Sequence, residues 1–375
     1  MRIAFYMPFK PLGHPHPSGD LIIGTELFQF LRKRGHDVRL VSRLRTRWIY
    51  WHPWQWIRLP LEIARCRRFI NRFQPHVWLT YHSYYKAPDI LGPVCALSCG
   101  VPYAIFQGVY ATKHRRKLKS KPGFFLNRYG LQRADAVFTN KRRDEINLRR
   151  LLPRDRLHYI APGICPDRFR AEAAEYVRPP DQDPKGDAVV ILTVAMFRPG
   201  VKAEGIARVI CACGDAARRG CWFRLVVCGD GAQRNALERL AVEEGLEGRI
   251  HFTGQLPRDR MPQVYRSADI FAFPGIKEGL GMVYLEAQAA GLPVVACRGW
   301  GASEVVRHNQ TGFLSAPDDG KQFGDDLVRL ITDGALRRQM GYAAACHAAR
   351  HHDLERNYRE FEAHLQRLVV QTPYR

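Results

Sequence analysis

The chain has 375 residues, too many for one ordinary hydrophobic core and suited to two domains. Apolar residues make up 46%, as in globular proteins, and 58 Lys and Arg against 36 Asp and Glu give a net charge of +22. The opening residues 1–11 carry Arg2 and Lys10, so no signal-peptide core is expected there. The longest uncharged run, 90–112, is interrupted by Gly and Pro, which predicts a helix, a turn and a buried strand rather than a membrane span.

The first half of the chain carries all of the net positive charge. Residues 1–170 hold 32 Lys and Arg and 10 Asp and Glu, and subtraction from the totals of 58 and 36 leaves 26 and 26 for residues 171–375. Such asymmetry indicates that the first half faces a polyanion, which could be nucleic acid, an acidic substrate or an anionic membrane.

The N-terminal residues predict a parallel α/β domain over 1–170. Residues 2–8 form a buried strand, and a loop rich in Gly, Pro and His leads to a helix over 21–35 that stops at Gly35. Further strands are predicted at 37–42, 76–81, 102–106, 136–140 and 157–161.

A second α/β domain is predicted over 188–350, after a polar and proline-rich linker at 171–187. Its strands are predicted at 188–196, 222–231, 249–254, 268–275 and 292–297. Residues 351–375 predict an amphipathic helix that packs back on the first domain. We expect two Rossmann-like α/β domains that face a central cleft.

A candidate site lies in the second domain, where a strand, a glycine loop and a helix are predicted around KEGLGMVYLEAQAAGLPVVA, residues 277–296. Helix N-termini attract phosphate, and glycine lets the backbone approach a bulky anion. Helical side chains lean toward the N-terminus, so Glu286 can reach a ligand there and accept hydrogen bonds from a sugar diol. Glu278 in the loop is placed for a second sugar. An ordinary strand-loop-helix unit with two solvated acids would show the same spacing.

The spacing of Glu278 and Glu286 within residues 277–296 resembles the signature of the retaining glycosyltransferases of family four, which have the GT-B fold. The segments LVVCGDGAQRNALERLA, IHFTGQLPRDRMPQVYRSADIFAFPG and GASEVVRHNQTGFL resemble the same family in order and spacing. The likeness is close over 186–335 and loose over the first 170 residues. It implies a nucleotide-diphospho-sugar donor and no other cofactor.

The resemblance implies a role for each matching residue. Glu286 would hold the ribose hydroxyls and Glu278 would contact the transferred sugar. The remaining donor-binding candidates are Gly279, Leu280, Gly281, Gly229 and Gly19.

The family also has an Arg and a Lys that neutralise the diphosphate and stabilise the leaving group. Lys202 matches the Lys, but Met196 stands where the family usually has its Arg. We expect Arg198, two positions later, to substitute, with a purely structural Arg198 as the alternative.

The first domain supplies two candidates on the acceptor side, His82 and His114, besides its glycine loop. The N-terminal glycine loop is expected to approach the diphosphate or the acceptor, which makes Gly19 the best candidate there, with Asp20 close by. His82 and His114 could contact the acceptor, although a lone histidine is more often a surface or packing residue.

The expected reaction retains the anomeric configuration and uses no metal, as the resemblance implies. An acid pair at 181–183 lies in the predicted linker and is not expected to bind a metal. His347 and His351 lie near Cys346 and are expected on a solvated helix face. Hydrolysis by paired carboxylates is a formal alternative, but Glu286 cannot both hold ribose and flank the scissile bond.

Two basic and aromatic tracts of the first domain predict a surface for an anionic membrane. Residues 42–73 hold eight Arg and four of the seven Trp, and residues 113–125 hold six Lys and Arg before two Phe. The alternatives are a solvated surface with core tryptophans and a single-stranded nucleic acid site, for which no motif is found.

Together these features predict a glycosyltransferase of cell-surface polysaccharide or lipopolysaccharide synthesis. Its acceptor would be a glycan or a lipid-linked sugar, and the protein would be cytoplasmic and peripheral on the inner membrane. Alternatives are a nucleotide-sugar hydrolase or epimerase on the same fold, and a non-catalytic protein that binds nucleotide-sugar or membrane.

Overall fold

The computed structural model describes residues 1–14, 19–170 and 188–372. The chain divides into two compact units, and the first contains both an early and a late part of the sequence. The first unit is Met1–Ala161 with Glu355–Arg375, and the second is Pro162–Leu354.

The first unit ends earlier than the predicted boundary at residue 170. Ile164 and Phe169 lie in the hydrophobic core of the second unit, which explains the difference. The predicted linker, 171–187, and the acid pair at 181–183 lie outside the described residues.

A six-stranded sheet in which every pairing is parallel organises the first unit. Its strands are β1 (Arg2–Tyr6), β2 (Asp37–Ser42), β3 (Val77–Ser83), β4 (Tyr103–Gly108), β5 (Ala136–Thr139) and β6 (Leu157–Tyr159). The spatial order is β2-β1-β3-β4-β5-β6. The helices are α1 (Gly19–Lys33), α2 (Pro53–Phe73), α3 (Leu91–Ser98), α4 (Lys121–Arg133) and α5 (Arg142–Leu148).

The second unit has its own parallel six-stranded sheet. A short helix, α6 (Asp167–Arg170), precedes it. The strands are β7 (Val189–Val194), β8 (Phe223–Cys228), β9 (Ile250–Gly254), β10 (Ile270–Ala272), β11 (Val294–Cys297) and β12 (Gly312–Ser315), in the order β12-β11-β10-β7-β8-β9. The helices are α7 (Val201–Arg218), α8 (Arg234–Glu243), α9 (Met261–Arg266), α10 (Met282–Ala289), α11 (Ala302–Val305), α12 (Gly320–Thr332) and α13 (Gly334–His351).

Continuous apolar runs form the central strands because helices cover both faces of a parallel sheet. Residues 3–6 of β1 and Ile191 and Leu192 of β7 are inaccessible to solvent. The eleven predicted strands are present, but the strand expected at 268–275 covers only Ile270–Ala272, since the chain turns at Pro274 and Gly275. β12 was not predicted.

The last helix, α14 (Leu354–Gln371), belongs to the first unit apart from its first residue. Phe361 packs edge-on against Phe106 and Phe138, with ring centroids 4.8 and 4.7 Å apart. Tyr358 lies 5.3 Å from Phe30 of α1. The amphipathic pattern of residues 351–375 thus completes the core of the first unit.

The run 90–112 forms α3, a turn at Gly100 with φ +67°, and β4, as predicted. In the described part of the chain, no helix has the length and apolar character needed to cross a bilayer.

Candidate functional site

The candidate donor site lies at the carboxyl edge of the second sheet. β7 lies between β8 and β10 and is the first strand of the series, so the chain order reverses beside it. In open α/β sheets, ligands bind outside the carboxyl ends of the strands at such a switch point. The segments that follow β7, β8 and β10 contain all the donor-site candidates of this unit.

Lys202 and Glu278 form an ion pair at this edge. Lys202 lies in the first turn of α7, after Gly200 with φ +88°, and its ammonium also lies 5.4 Å from the ring centroid of Phe273. Side-chain exposure is 31% for Lys202 and 22% for Glu278, so both remain accessible to a ligand. Sequence reasoning named both residues but did not foresee that they would pair.

The loop 275–281 holds Glu278 through its backbone. The Glu278 N–H donates to the Gly275 carbonyl at 2.9 Å, and the Gly301 N–H donates to the Glu278 carbonyl at 3.1 Å. Gly281 adopts φ +80°, and a Cβ there would lie 2.5 Å from the Gly301 carbonyl oxygen. Only glycine fits this close approach, which explains the predicted Gly281. Gly279 is exposed and Leu280 is buried.

Tyr284 packs beneath the same loop, in the interior of the second unit. It is fully buried, its hydroxyl donates to the Phe273 carbonyl at 3.1 Å, and a Cβ on Gly275 would overlap that hydroxyl. Burial and the nearby Glu278 raise the pKa of Tyr284 well above its usual value, which keeps the phenol protonated. Tyr284 was not predicted as part of the site, although it is the third residue of the helix that follows the glycine loop.

Glu286 is held by a second tyrosine. The Tyr265 hydroxyl of α9 donates to Glu286 Oε2 at 2.8 Å, and Tyr265 is itself fully buried. Burial and the Glu286 carboxylate raise the pKa of Tyr265, so the hydroxyl stays a donor. This contact fixes one carboxylate oxygen, and no feature of the sequence pattern predicted it.

Gly229 directly follows β8 and lies beside the segment that follows β7. It adopts φ +144°, its N–H donates to the Gly254 carbonyl at 3.0 Å, and a Cβ there would overlap the Ala195 carbonyl oxygen. The Ala195 N–H in turn donates to the Cys228 carbonyl at 3.1 Å. Gly229 therefore allows two strand ends to approach closely.

Arg198 is exposed and does not join the Lys202–Glu278 pair. Its neighbour Phe197 is fully buried, which turns Met196 (49% exposed) and Arg198 away from the core. No residue of the described ranges forms an ion pair with the Arg198 guanidinium. That Arg198 takes the role of the arginine that the family has at the position of Met196 stays a prediction.

The first-unit candidates meet at the corresponding edge of the first sheet. Asp20 of α1 lies 3.3 Å from His82 Nδ1, and Gly19 is the exposed first residue of that helix. Burial opposes ionisation of Asp20, but the charges of His82, Lys141 and Lys10 outweigh it and lower its pKa to about 2. Asp20 is thus a permanent anion beside His82.

His114 does not contact His82 but is linked to it through aromatic rings. His82 stacks on Tyr84 with centroids 4.7 Å apart, Tyr84 lies 5.7 Å from Tyr85, and Tyr85 stacks on His114 at 3.5 Å. Burial and the neighbouring lysines lower the pKa of His114 to about 4, so it is neutral at physiological pH.

His347 differs from the expectation of a solvated face. It is half-buried, 4.9 Å from the ring of His351, and burial is the main reason that its pKa is lowered to about 4. In the part of the chain that the structure describes, no three His, Cys, Asp or Glu side chains are grouped as metal ligands.

Residues 179–346 match the model of the family described as glycosyl transferases group 1. The chain carries a group 1 glycosyltransferase domain. A curated relative, the GDP-mannose-dependent alpha-(1-6)-phosphatidylinositol monomannoside mannosyltransferase of Mycobacterium tuberculosis, is 32% identical over 198 residues, 51% of each chain. The chain therefore spans about half the length of this relative.

Solved structures extend the likeness of fold beyond the group 1 domain. Sucrose-phosphate synthase from Thermosynechococcus elongatus superposes with a TM-score of 0.74 at 19% identity over 99% of both chains. Anabaena HepE in complex with UDP gives a TM-score of 0.73 at 16% identity, over 98% of this chain and 100% of the other. With two parallel six-stranded sheets, the chain has the two-domain α/β fold of the GT-B class.

Proposed function

We propose that this protein is a retaining glycosyltransferase that moves a sugar from a nucleotide-diphospho-sugar to a glycan or lipid-linked acceptor without a metal. The observation that supports this most directly is the Lys202–Glu278 pair at the carboxyl edge of the second sheet, beside the loop that opens α10. The group 1 match and the GDP-mannose dependence named for the mycobacterial relative support the donor class.

Each side chain has a defined role in this proposal. A donor diphosphate would attract Lys202 away from Glu278 and toward the leaving group, where its charge stabilises the departing phosphate. Glu278 would then be free to accept hydrogen bonds from the transferred sugar. Glu286, oriented by Tyr265, would accept from the ribose hydroxyls.

The positive charge of the reaction would come from Lys202, Arg198 and helix N-termini rather than from a metal. Gly19 would approach the diphosphate or the acceptor, and His82 and His114 are the proposed acceptor contacts. The acceptor would belong to cell-surface polysaccharide or lipopolysaccharide synthesis, and the phosphatidylinositol mannoside named for the mycobacterial relative is an example of a lipid acceptor.

A transfer assay with the variants Lys202→Ala and Glu278→Ala tests this proposal. Thermal shift against UDP, GDP, ADP and their sugars first identifies the donor. We expect each variant to lower kcat by about a hundredfold or more, because each loses a charge-assisted contact that strengthens in the transition state. Lys321→Ala, an exposed change on α12, is the control. Full activity in both site variants would contradict the assignment.

Product stereochemistry and chelator treatment test the remaining claims. We expect an unchanged anomeric configuration and a rate that EDTA does not alter. Met196 in the place of the family arginine favours one alternative, a non-catalytic nucleotide-sugar-binding protein, and this would show donor binding without turnover. A hydrolase or epimerase would consume donor in the absence of acceptor.

We also propose that the first unit docks peripherally on an anionic membrane. Large apolar side chains are exposed on α2 and near it, with Trp54 at 75%, Ile57 at 69%, Leu61 at 70% and Leu118 at 83%. Trp51 is also exposed, so the tryptophans at 51 and 54 are not core residues. Arginines and lysines of the same tracts would meet anionic headgroups.

Vesicle co-sedimentation tests the docking proposal. We expect binding to phosphatidylglycerol vesicles at moderate salt, and about a tenfold loss in the Trp54→Ala, Leu118→Ala double variant. Tyr342→Ala, which removes an equally exposed aromatic from the second unit, should bind as the parent does. Equal binding by the double variant and the parent would refute this surface.

A further inference from the structure

A cleft of about 430 Å³ lies between the edge strand β2 and the C-terminal half of α2. Its lining is four arginines, Arg39, Arg65, Arg68 and Arg72, with Val41, Phe69 and Phe73. It lies on the flank of the first sheet and contains none of the candidate donor or acceptor residues.

The charges of the cleft are not balanced by the protein. Asp37 pairs with Arg39 at 2.8 Å, and Glu62 pairs with Arg65 at 3.2 Å. In the described ranges no carboxylate pairs with Arg68 or Arg72, which stand four positions apart on one helix face. Like charges at this spacing destabilise a helix. Two guanidiniums are thus available to a ligand.

Helix electrostatics alone does not explain this arrangement. A cation in the last turn of α2, such as Arg72, is favoured by the helix dipole. The dipole does not account for Arg39, which lies on a separate element and places its guanidinium 4.5 Å from the ring of Phe73. Residues of a strand and a helix converge on one cleft.

We propose that this cleft binds a phosphorylated ligand, a phosphate monoester or a diphosphate. Arginine forks match the oxygens of phosphate, and a dianion with several acceptor oxygens can satisfy more than one guanidinium. The cleft is larger than a single phosphate group. The organic part of the ligand would lie on the rings of Phe69 and Phe73, whose centroids are 5.1 Å apart.

The same chemistry is available from a soluble molecule and from a lipid headgroup. The exposed face of α2 changes along its length from apolar, at Trp54, Ile57 and Leu61, to cationic, at Arg65 and Arg68. Trp54 and Arg68 are about 21 Å apart along the axis at 1.5 Å per residue. Arg65 follows Leu61 by about 6 Å on the same face, so the cleft adjoins the apolar docking surface and the experiment must distinguish the two sources.

Calorimetric titration with inorganic pyrophosphate and sedimentation with phosphatidylcholine vesicles, with and without phosphatidic acid, test the proposal. We expect Arg68→Gln with Arg72→Gln to weaken binding by about tenfold or more, since two charge-assisted contacts are lost. Arg338→Gln with Arg350→Gln removes the same charge from exposed positions of α13 and should have no effect. Both variants are titrated in a Lys202→Gln background, which removes the diphosphate contact proposed for the donor site, so that the remaining pyrophosphate binding reports on the cleft.

The outcomes separate the ligand sources and the proposed donor site. Selective loss of pyrophosphate binding assigns a soluble phosphorylated ligand, and selective loss of phosphatidic acid binding alone assigns a lipid phosphate. Arg68→Lys with Arg72→Lys keeps the charge and should restore only part of the affinity, because lysine lacks the fork. The proposal is overturned if the α13 control loses as much binding as the cleft variant. It is also overturned if the cleft variant loses neither pyrophosphate binding nor phosphatidic acid binding. Neither result bears on transfer, which depends on Lys202.

Discussion

At the scale of single residues, the candidate donor site depends on two buried tyrosines that hold its acidic and glycine-rich parts. Tyr265 fixes one oxygen of Glu286, and Tyr284 supports the backbone of the loop at Gly275. Both phenols stay protonated, because burial raises their pKa values well above the usual range. The site is therefore organised before any ligand arrives.

Tyr265→Phe tests this orientation. The variant keeps the ring and its packing but leaves Glu286 without the 2.8 Å hydrogen bond. We expect donor affinity to fall about fivefold, which corresponds to roughly 1 kcal/mol for a hydrogen bond to a partly buried carboxylate. Calorimetric titration with the nucleotide-sugar measures this. Tyr342→Phe, on the exposed face of α13, is the control, and equal affinities would show that Tyr265 does not orient Glu286.

Gly281→Ala tests the loop. Its φ of +80° costs any alanine about 1 kcal/mol or more, and the new Cβ would also meet the Gly301 carbonyl oxygen. Gly220→Ala is a matched control, because Gly220 has φ +78° with open space around it. We expect both variants to lower the midpoint of urea unfolding, and Gly281→Ala to lower it more. Equal shifts would mean that the contact with Gly301 relaxes without cost.

At the scale of elements, α14 shows what sequence periodicity can and cannot predict. The amphipathic spacing predicted the helix, and its buried apolar residues are Tyr358, Phe361 and Leu365. The same face also buries Glu362, which accepts from Arg34 at 3.0 Å and lies 2.7 Å from a His36 ring nitrogen. The sequence pattern gave no indication of this contact, because both partners lie far from Glu362 along the chain.

Phe361→Ala tests how much the first unit depends on α14. Loss of a fully buried ring that contacts Phe106 and Phe138 should destabilise the unit by about 3–5 kcal/mol. Urea unfolding followed by fluorescence provides the measurement. Val370→Ala, at an exposed position near the end of the same helix, should cost less than about 0.5 kcal/mol. A small effect of Phe361→Ala would show that α14 is dispensable for this core.

At the scale of the whole molecule, most of the architecture was predictable, because central parallel strands are runs of apolar residues between turns. At the strand ends, the sequence predicted which residues belong to the candidate site but not the contacts between them. Glu278, Lys202 and Glu286 were named as donor-site candidates, but the Lys202–Glu278 pair was not foreseen because it joins residues 76 positions apart. Arg39 and the arginines of α2 entered the prediction only through the positive charge of the first half. Their convergence on one cleft was not predictable, because it depends on how β2 and α2 pack.

Buried histidines in both units predict acid sensitivity. Burial lowers the pKa of His352 in the second unit and of His158 in the first to about 4, against about 6.5 when unfolded. Between these values the unfolded chain binds more protons, so stability is complete above pH 6.5 and falls as the pH drops toward 4. His352 contributes at most about 3 kcal/mol over this window, and the half-buried His158 contributes less because solvent screens its charge.

His352→Asn tests this pH dependence. His352 Nδ1 lies 2.8 Å from the Pro162 carbonyl, and His347, His351 and Arg307 are its charged or titratable neighbours. The asparagine amide can still donate to Pro162 but cannot titrate. We expect a smaller loss of unfolding midpoint between pH 6.5 and 4 than in the parent, whereas His251→Asn, at an exposed position, should follow the parent. An unchanged pH profile would exclude His352 as a source.

The return of residues 355–375 to the first unit has a consequence for biosynthesis. Pro162–Leu354 is contiguous in the chain, whereas the first unit includes a segment that the ribosome produces only after the entire second unit. Domains often fold in order from the N-terminus during translation. Here the earlier unit must wait for Phe361, and Phe106 and Phe138 stay uncovered in the meantime. The nascent chain is therefore expected to complete its second unit first and to need protection of its first.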